Sequence, residues 1–543
     1  MEVMETTYGS PLPAFVILHR NWMAAASTTN AFYDVVVIGN GPNAVCLSYI
    51  LSGNWPYIAE TKHPNPYLQQ KLQNQPTNES LPLLKLEELD SLSEGLDDGR
   101  SDKPVGLLFD ALLRPDADFD SQLPSCLEWR RNDVDAPARL SHLVIGDAAP
   151  GGSWNQYPAD VRALSPTSWL ELPGYSFSHW FATQRGEIEE ASTERPLLKD
   201  IAGYYQDYVR HTGIADQFLN FATVVDICVR DNDATPSSLS EFPGFFHGGC
   251  PGCDEWADSY RMSDGDFADL LFYDATTNRD DDPNAPSSEF RFEIKINHDD
   301  DDVSKKIFAK NLVLATGMSG SPTKLGIEGE DFPFVYHKFQ TKILSDCHTV
   351  MIVGSGLCAA DSILVALNRG CRVVHVFRKE CSDPSLIFNQ IPLQSYPEYA
   401  QIFDLMRGKA KNSHYKCFEC SHLVRISEEK RRCLVREEKM ERDDVNVEVS
   451  AVFVLIGTSA SLGFLPEAFR RIGVDATKPI DSRKNPIDVN PLTYQVRNLE
   501  NLFAIGPLVG DNFVRFGIGG ALGVATALVG QLQQREKLAL PIV

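Results

Sequence analysis

Twice along the chain a short, β-branched apolar run ends in a glycine-rich hexapeptide and then passes into a helical pattern. The first is DVVVI (34–38), followed by Gly39-Asn40-Gly41-Pro42-Asn43-Ala44 and a helix expected over 44–51. The second is VMIV (350–353), followed by Gly354-Ser355-Gly356-Leu357-Cys358-Ala359 and a helix through AADSILVAL. Strands this apolar are usually central in a parallel sheet, covered on both faces. In a G-x-G-x-x-A turn the glycines permit a tight bend and a close approach of backbone to a pyrophosphate. The alanine lets helix and strand pack closely, and the helix N-terminus offers free N–H groups and a partial positive charge. One such hexapeptide is a weak signal. Two, each between a strand and a helix, point to an α/β chain with two Rossmann-type dinucleotide-binding units.

The remaining text divides around these units. Residues 1–30 read as a flexible leader without the pattern of a secretory signal. Residues 31–340 read as the first part of one dinucleotide domain, 341–445 as an inserted second one, and 446–543 as the closing part of the first. The stretch 62–140 is rich in Pro, Asn, Asp and Ser, with amphipathic pieces near 84–92 and 105–113, and reads as an insertion with short helices. Strands are expected at HLVI (142–145), 223–229, 290–296, NLVLATG (311–317), RVVHVF (372–377), AVFVLIG (451–457) and NLFAIG (501–506). Helices are expected over 196–212 and from Gly519 onward. The acidic runs at 280–282 and 299–302 read as solvated loops, and 405–445 is charged and weakly patterned.

Several motifs point to a flavin at the first turn. Gly151-Gly152-Ser153-Trp154 combines small residues, which let a loop press on a flat ligand, with an indole able to cover it. Ala315-Thr316-Gly317 sits at a strand end where the chain would pass between domains. Gly506 opens GPLVGD, whose Asp511 precedes a glycine-rich helix; a carboxylate there could accept from ribityl hydroxyls or cap the helix. Asn512 and Arg515 are polar neighbours of Asp511, with a structural role slightly favoured. An acidic partner for a ribose hydroxyl is expected about 20 residues beyond the first turn. Glu60, at the end of PYIAE, fits that spacing and is preferred; Asp147, after HLVI, competes. At the second turn the strand 372–377 ends in Arg378-Lys379, and a basic residue there favours the 2′-phosphate of NADPH over the free hydroxyl of NADH.

These patterns together resemble the class B flavin-dependent monooxygenases. The intervening text resembles one branch more closely: HPNP (63–66), SEGL (93–96), LLFDALLRPDADF (107–119), PGGSW (150–154), DPSLIFNQ (383–390), YPEY (396–399) and GPLVGDNFVRF (506–516) are similar to the oxidative stress-induced growth inhibitor family. The resemblance spans roughly 33–530. It implies an FAD- and NADPH-using monooxygenase-like protein with roles in growth control, stress response and cell division, oxidising a small-molecule substrate with O2. Two departures matter. The 62–140 insertion separates the first turn from G-G-S-W by far more than usual. The class pattern F-x-G-x-x-x-H is not kept: around His337 the text is DFPFVYHKFQ, without the glycine.

The chemistry of such a protein resides in its cofactors, so no protein side chain is assigned as catalytic. Two alternatives stand beside oxygenation: an NADPH oxidase-type flavoprotein that releases peroxide, and a regulatory interaction protein using the insertion as its binding surface. Cys250-Pro-Gly-Cys253 and Cys417-Phe-Glu-Cys420 could together supply four zinc thiolates, but free thiols in loops are the leading reading, and no metal is assigned. Twelve scattered cysteines fit reduced thiols in the cytoplasm. A net charge of −24 argues against a dedicated nucleic-acid or anionic-membrane binder. No run approaches roughly 18 consecutive apolar residues.

Overall fold

The computed structural model describes residues 31–74, 82–96, 101–119, 123–131, 140–185, 195–230, 290–298, 301–438 and 444–539. The leader, the Cys250/Cys253 pair and the 280–282 acidic run lie outside the described residues.

The chain opens with strand β1 (Ala31–Ile38), turns at Gly39–Gly41, and enters helix α1 (Pro42–Leu51) with Pro42 at its first position. That position needs no backbone donor, so proline is suited to it. Strand β2 (Asn54–Ile58) follows. Within the insertion, helix α2 (Pro104–Leu113) and strand β3 (Leu127–Arg131) precede strand β4 (His142–Gly146). Helix α3 (Leu198–His211) leads to β5 (Phe218–Asn220), β6 (Ala222–Val229), β7 (Phe292–His298) and the long β8 (Asp301–Leu314). β8 begins inside the acidic stretch that the sequence reads as a loop, because its first half is zipped antiparallel to β7.

The second unit contains β9 (Val335–Tyr336), β10 (Thr349–Val353), helix α4 (Leu357–Asn368), β11 (Arg372–Val376) and β12 (Tyr415–Phe418). An antiparallel meander comes next: β13 (Ser421–Ser427), β14 (Arg432–Glu437) and β15 (Val445–Glu448). β16 (Ala451–Val454) returns to the sheet. Last come β17 (Leu502–Ala504) and the long helix α5 (Val514–Ala539).

The main sheet runs β5-β4-β1-β8-β7-β6, with β17 also paired to β8. Its core is parallel: β1 pairs with β4 on one side and with the second half of β8 on the other. Val35, Val36 and Val37 are wholly buried, as a strand covered on both faces requires. The second sheet is parallel too, in the order β9-β16-β10-β11-β12. It takes in residues 335–336 and 451–454, so the second unit extends beyond the 341–445 span expected from sequence. Two parallel sheets, each with a glycine turn at the end of a central strand, bear out the expected α/β class.

α5 is long and apolar enough to cross a membrane, but 78% of its apolar window is buried inside the protein. It packs against α1 and against α2 of the insertion. The α2–α5 crossing is close: a Cβ added at Gly519 would lie 2.4 Å from the Cα of Gly106. The stretch 101–119 is therefore part of the core and not an appendage.

Candidate functional site

The first glycine turn collects motifs that are far apart in sequence. Gly39 sits at φ +104°, and a Cβ there would lie 2.3 Å from the carbonyl oxygen of Ala315 and 2.9 Å from the nitrogen of Thr316. The A-T-G strand end therefore abuts the turn. Gly151 N–H donates to the Asn40 carbonyl at 2.8 Å, and a Cβ on Gly152 would come within 3.2 Å of Gly41 N. Gly506 faces Asn43, whose Nδ2 would lie 2.1 Å from an added Cβ. Three expected site segments thus converge on the first turn. Ala44 is fully buried beneath it, and Pro42 starts the helix. Trp154, half-buried, packs edge-on against Tyr157 and Tyr205, with ring centroids 6.0 and 5.9 Å away. Ser153 lies beside it, and Gly317 closes the A-T-G end at φ +63°.

The space at this turn fits a dinucleotide. Nothing lies within 4 Å of where a Cβ on Gly41 would be. The Thr316 hydroxyl and the Asn43 side-chain carbonyl are buried and make no hydrogen bond in the protein. Buried polar atoms normally find partners, and these two belong to segments that meet at the turn. The Asn43 oxygen is packed toward α5, 2.8 Å from where a Cβ on Gly517 would be.

Two expectations are corrected here, those for Glu60 and Asp511. Asn40 belongs to the turn through its backbone; its side chain is buried and donates to the Ala148 carbonyl (2.6 Å) and to Asn220 Oδ1 (2.9 Å). Gly146 leaves the room it occupies, since a Cβ there would fall 2.1 Å from Asn40 Cγ. Glu60 follows β2, which pairs antiparallel with β3 and lies off the main sheet. The strand beside β1 is β4, so the acid that follows the neighbouring strand is Asp147, and it is exposed. Pro56, which has no N–H to give a ladder, was the available signal that β2 is not a central strand. Asp511, read as a carboxylate for ribityl hydroxyls or as a helix cap, is instead turned into the protein. Its Oδ1 accepts from Ser101 Oγ and its Oδ2 from the Tyr494 hydroxyl, both at 3.1 Å. Burial pushes its pKa up to about 7, with nearby Lys103 opposing. Ser101, Lys103 and Tyr494 were missed, as no local pattern links them to Asp511.

Its neighbours are structural. Asn512 donates to the Ser482 and Gly510 carbonyls. Arg515, buried in α5, is paired with Asp110 and Asp118 of the insertion and lies over the Trp169 ring. His337 Nε2 is 2.9 Å from Glu330 Oε1, and Glu330 also accepts from the Leu325 and Gly326 N–H groups.

The second turn repeats the first. Gly354 lies at φ +130°, with a Cβ position 2.2 Å from the Leu455 carbonyl, and Gly356 is open, with nothing within 4 Å. Ser355 is half-buried and Ala359 is packed in the core at the start of α4. Arg378 is exposed just after β11, the strand beside β10. Lys379 is engaged instead with Ser385, through its carbonyl and Oγ. Among the described residues no group of three or more His, Cys, Asp or Glu is arranged to hold a metal.

Residues 292–506 match the pyridine nucleotide-disulphide oxidoreductase family. Among solved structures, the chain is similar to the bacillithiol disulfide reductase of Bacillus cereus, with a TM-score of 0.51 at 15% identity, covering 92% of this chain and 99% of that one. It is also similar to the ornithine hydroxylase of Pseudomonas aeruginosa, with a TM-score of 0.50 at 12% identity, over 93% and 100%. These likenesses establish the fold of FAD- and NAD(P)-binding oxidoreductases. The human oxidative stress-induced growth inhibitor 1 is 36% identical over 506 residues, covering 91% of this chain and 94% of that protein. With that identity over nearly the whole length, the chain belongs to the oxidative stress-induced growth inhibitor family.

Proposed function

We propose that this chain is an FAD-dependent, NADPH-oxidising flavoprotein of the monooxygenase type, acting on a small-molecule substrate with O2 in growth control and the stress response. The observation that carries the reading is the convergence of Gly39–Gly41, Gly151–Gly152, Ala315–Thr316 and Gly506 around an open turn with unpartnered polar atoms. FAD held there would supply two-electron redox chemistry between NADPH and O2.

The work of the protein is binding and orientation. The α1 N-terminus and the bare backbone of Gly41 receive the pyrophosphate. The unpartnered Thr316 hydroxyl supplies a further polar group at the turn. α4 and Gly356 serve NADPH in the same way, and the exposed Arg378 offers its guanidinium to the 2′-phosphate. Trp154, braced by Tyr157 and Tyr205, walls the G-G-S-W side. No side chain need act as acid, base or nucleophile. The net charge of −24 and the scattered thiols support a cytoplasmic protein without nucleic-acid partners.

A second reading keeps both cofactors and drops the oxygenation, so that the electrons leave as hydrogen peroxide. His337 favours it: its segment lacks the class glycine, and its ring is held by Glu330.

An absorption spectrum of the purified protein, followed by anaerobic NADPH, tests the proposal. Bands near ~370 and ~450 nm that bleach with NADPH are expected of a working flavin. Peroxide yield per NADPH in air then separates the two readings. A protein that stays colourless after FAD is added overturns both and favours an interaction protein on an inherited scaffold.

A further inference from the structure

The second glycine turn has a buried support that the first lacks. His375 lies on β11, directly beside β10, and is 1% exposed. Its Nε2 is 2.7 Å from the carbonyl oxygen of Gly354, and its Nδ1 is 2.8 Å from the Tyr415 hydroxyl on β12. A carbonyl oxygen only accepts, so Nε2 carries the proton. A neutral ring then has a lone pair at Nδ1, to which Tyr415 donates. Burial holds the imidazole down to about 4, against a smaller opposing effect of the Gly354 carbonyl, so the ring is neutral near pH 7.

Gly354 is thereby fixed on three sides. Its N–H donates to the Val376 carbonyl at 3.0 Å, its Cα faces the Leu455 carbonyl, and its own carbonyl points to His375. The register shows that this support is particular to one turn. Ile352 pairs with His375, two residues before Gly354; the same place in the first unit pairs Val37 with Val144, two residues before Gly39. Val144 is wholly buried and offers no hydrogen bond. The strand–turn–helix unit therefore folds with an aliphatic side chain at this position. A buried imidazole is costly to desolvate, and its hydrogen bond is spent on the glycine that opens the turn.

We propose that His375, oriented by Tyr415, is a positioning residue of the nucleotide site: its bond to the Gly354 carbonyl holds the turn in the form that receives the pyrophosphate at Gly356. The inference rests on the assignment of NADPH to this turn.

The test is titration of the FAD-reconstituted full chain with NADP+, together with NADPH steady-state kinetics and flavin content. It compares wild type with His375→Leu, His375→Gln and Tyr415→Phe. His375→Leu is expected to weaken NADP+ binding about tenfold, which is about 1.4 kcal/mol. It should raise KM for NADPH to match, while kcat at saturating NADPH and flavin content stay at the wild-type level. Tyr415→Phe leaves the ring without its orienting donor and is expected to give about a threefold loss, the scale of one weakened neutral hydrogen bond. His375→Gln, which can still donate to a carbonyl, should recover part of the loss. A purely structural role would lower flavin content and kcat together and would overturn the inference. Wild type that binds NADP+, with variants within twofold of it, also overturns the inference and leaves the NADPH assignment standing. Wild type that does not bind NADP+ overturns that assignment, and the inference with it. If His375→Leu does not fold, Tyr415→Phe decides.

Discussion

Gly39 and Gly41 stand two residues apart and do opposite jobs. Gly39 is needed by the fold: at φ +104° an L-residue is strained by about 1–3 kcal/mol, and its Cβ would strike the Ala315 carbonyl. Gly41 lies at φ −69°, where any residue is comfortable, and its side is open. Gly39→Ala is therefore expected to destabilise the apoprotein in urea by at least about 2 kcal/mol. Gly41→Val should leave apoprotein stability unchanged and abolish flavin uptake. Equal flavin uptake by Gly41→Val and wild type would remove the first turn from the cofactor site. Asp511 makes a pH prediction. Its folded-state pKa of about 7 is above the ordinary carboxylate value, so between about pH 4 and pH 7 the folded chain keeps a proton that the unfolded chain has released. The stability this contributes is complete below about pH 4 and is lost as pH rises through about 7, with a slope of up to about 1.4 kcal/mol per pH unit. Asp511→Asn should flatten that decline in urea melts at pH 5, 6 and 7. Asp361, also raised to about 7 by burial, is present in both proteins and cancels in the comparison.

Between elements, the telling contact is the one joining the insertion to α5. Arg515 and Asp110 are 2% and 6% exposed at their side chains; Asp118 also pairs with Arg515, and the buried Arg114 reaches the other oxygen of Asp110, Nη1 to Oδ1, at 3.4 Å. Removing one member of a buried pair leaves an uncompensated charge, at about 3–5 kcal/mol. Asp110→Ala is expected to cost toward the upper end, because it takes a carboxylate from both Arg515 and Arg114. The double variant Asp110→Leu/Arg515→Met should restore only part of the loss, since Arg114 still lacks Asp110 and Asp118 lacks Arg515. Urea denaturation checks both. An Asp110→Ala variant as stable as wild type would mean that the insertion is only loosely attached. Little of this contact was legible in sequence. The strands at 34–38, 142–145, 311–314, 350–353, 372–376 and 451–454 could be read, because consecutive β-branched residues mark a strand buried on both faces. The two turns could be read because their glycines obey local sterics. Which strand lies beside β1 could not: spacing favoured the one ending near Glu60, whereas β4, some 80 residues further along, takes that place. The β13–β15 meander was missed because its alternation, as in His422, Val424 and Arg425, is broken by the register shift between Leu423 and Arg425. Ser101, which bonds Asp511, and Asp110 and Asp118, which pair with Arg515, lie about 400 residues away, and no periodicity carries that information.

At the scale of the whole molecule, the two sheets must bring their glycine turns into a productive relation. Among the described residues, a set of polar contacts bridges them. Arg195, just before α3, donates from Nε to the Ala163 carbonyl at 2.7 Å and from Nη1 to the Ser395 carbonyl at 3.2 Å. It pairs with Glu398 and lies over the Tyr396 ring, 4.6 Å from its centroid. Tyr396 in turn donates to the Leu164 carbonyl at 3.3 Å, and Lys338 Nζ reaches Gln156 Oε1 at 2.9 Å. Apart from the Arg195–Ala163 bond, which anchors the arginine within the first unit, one side of each contact belongs to the first unit and the other to the second, and Ser395, Tyr396 and Glu398 lie in or next to the YPEY motif. An arginine that satisfies three carbonyl or carboxylate groups and a ring at once gives a defined geometry, which a lysine could not copy. Small misplacement of reacting groups is costly even when each is bound normally, on the order of 100-fold for about 1 Å. Arg195→Ala is therefore expected to leave flavin content and NADP+ affinity at wild-type values and to slow flavin reduction by NADPH at least about tenfold in anaerobic stopped-flow traces. Arg195→Lys should resemble the alanine variant more than wild type. Unchanged reduction rates in both variants would show that these contacts do not set the relation between the turns. A parallel loss of NADP+ affinity would mean that Arg195 acts on the second unit itself and not on its placement.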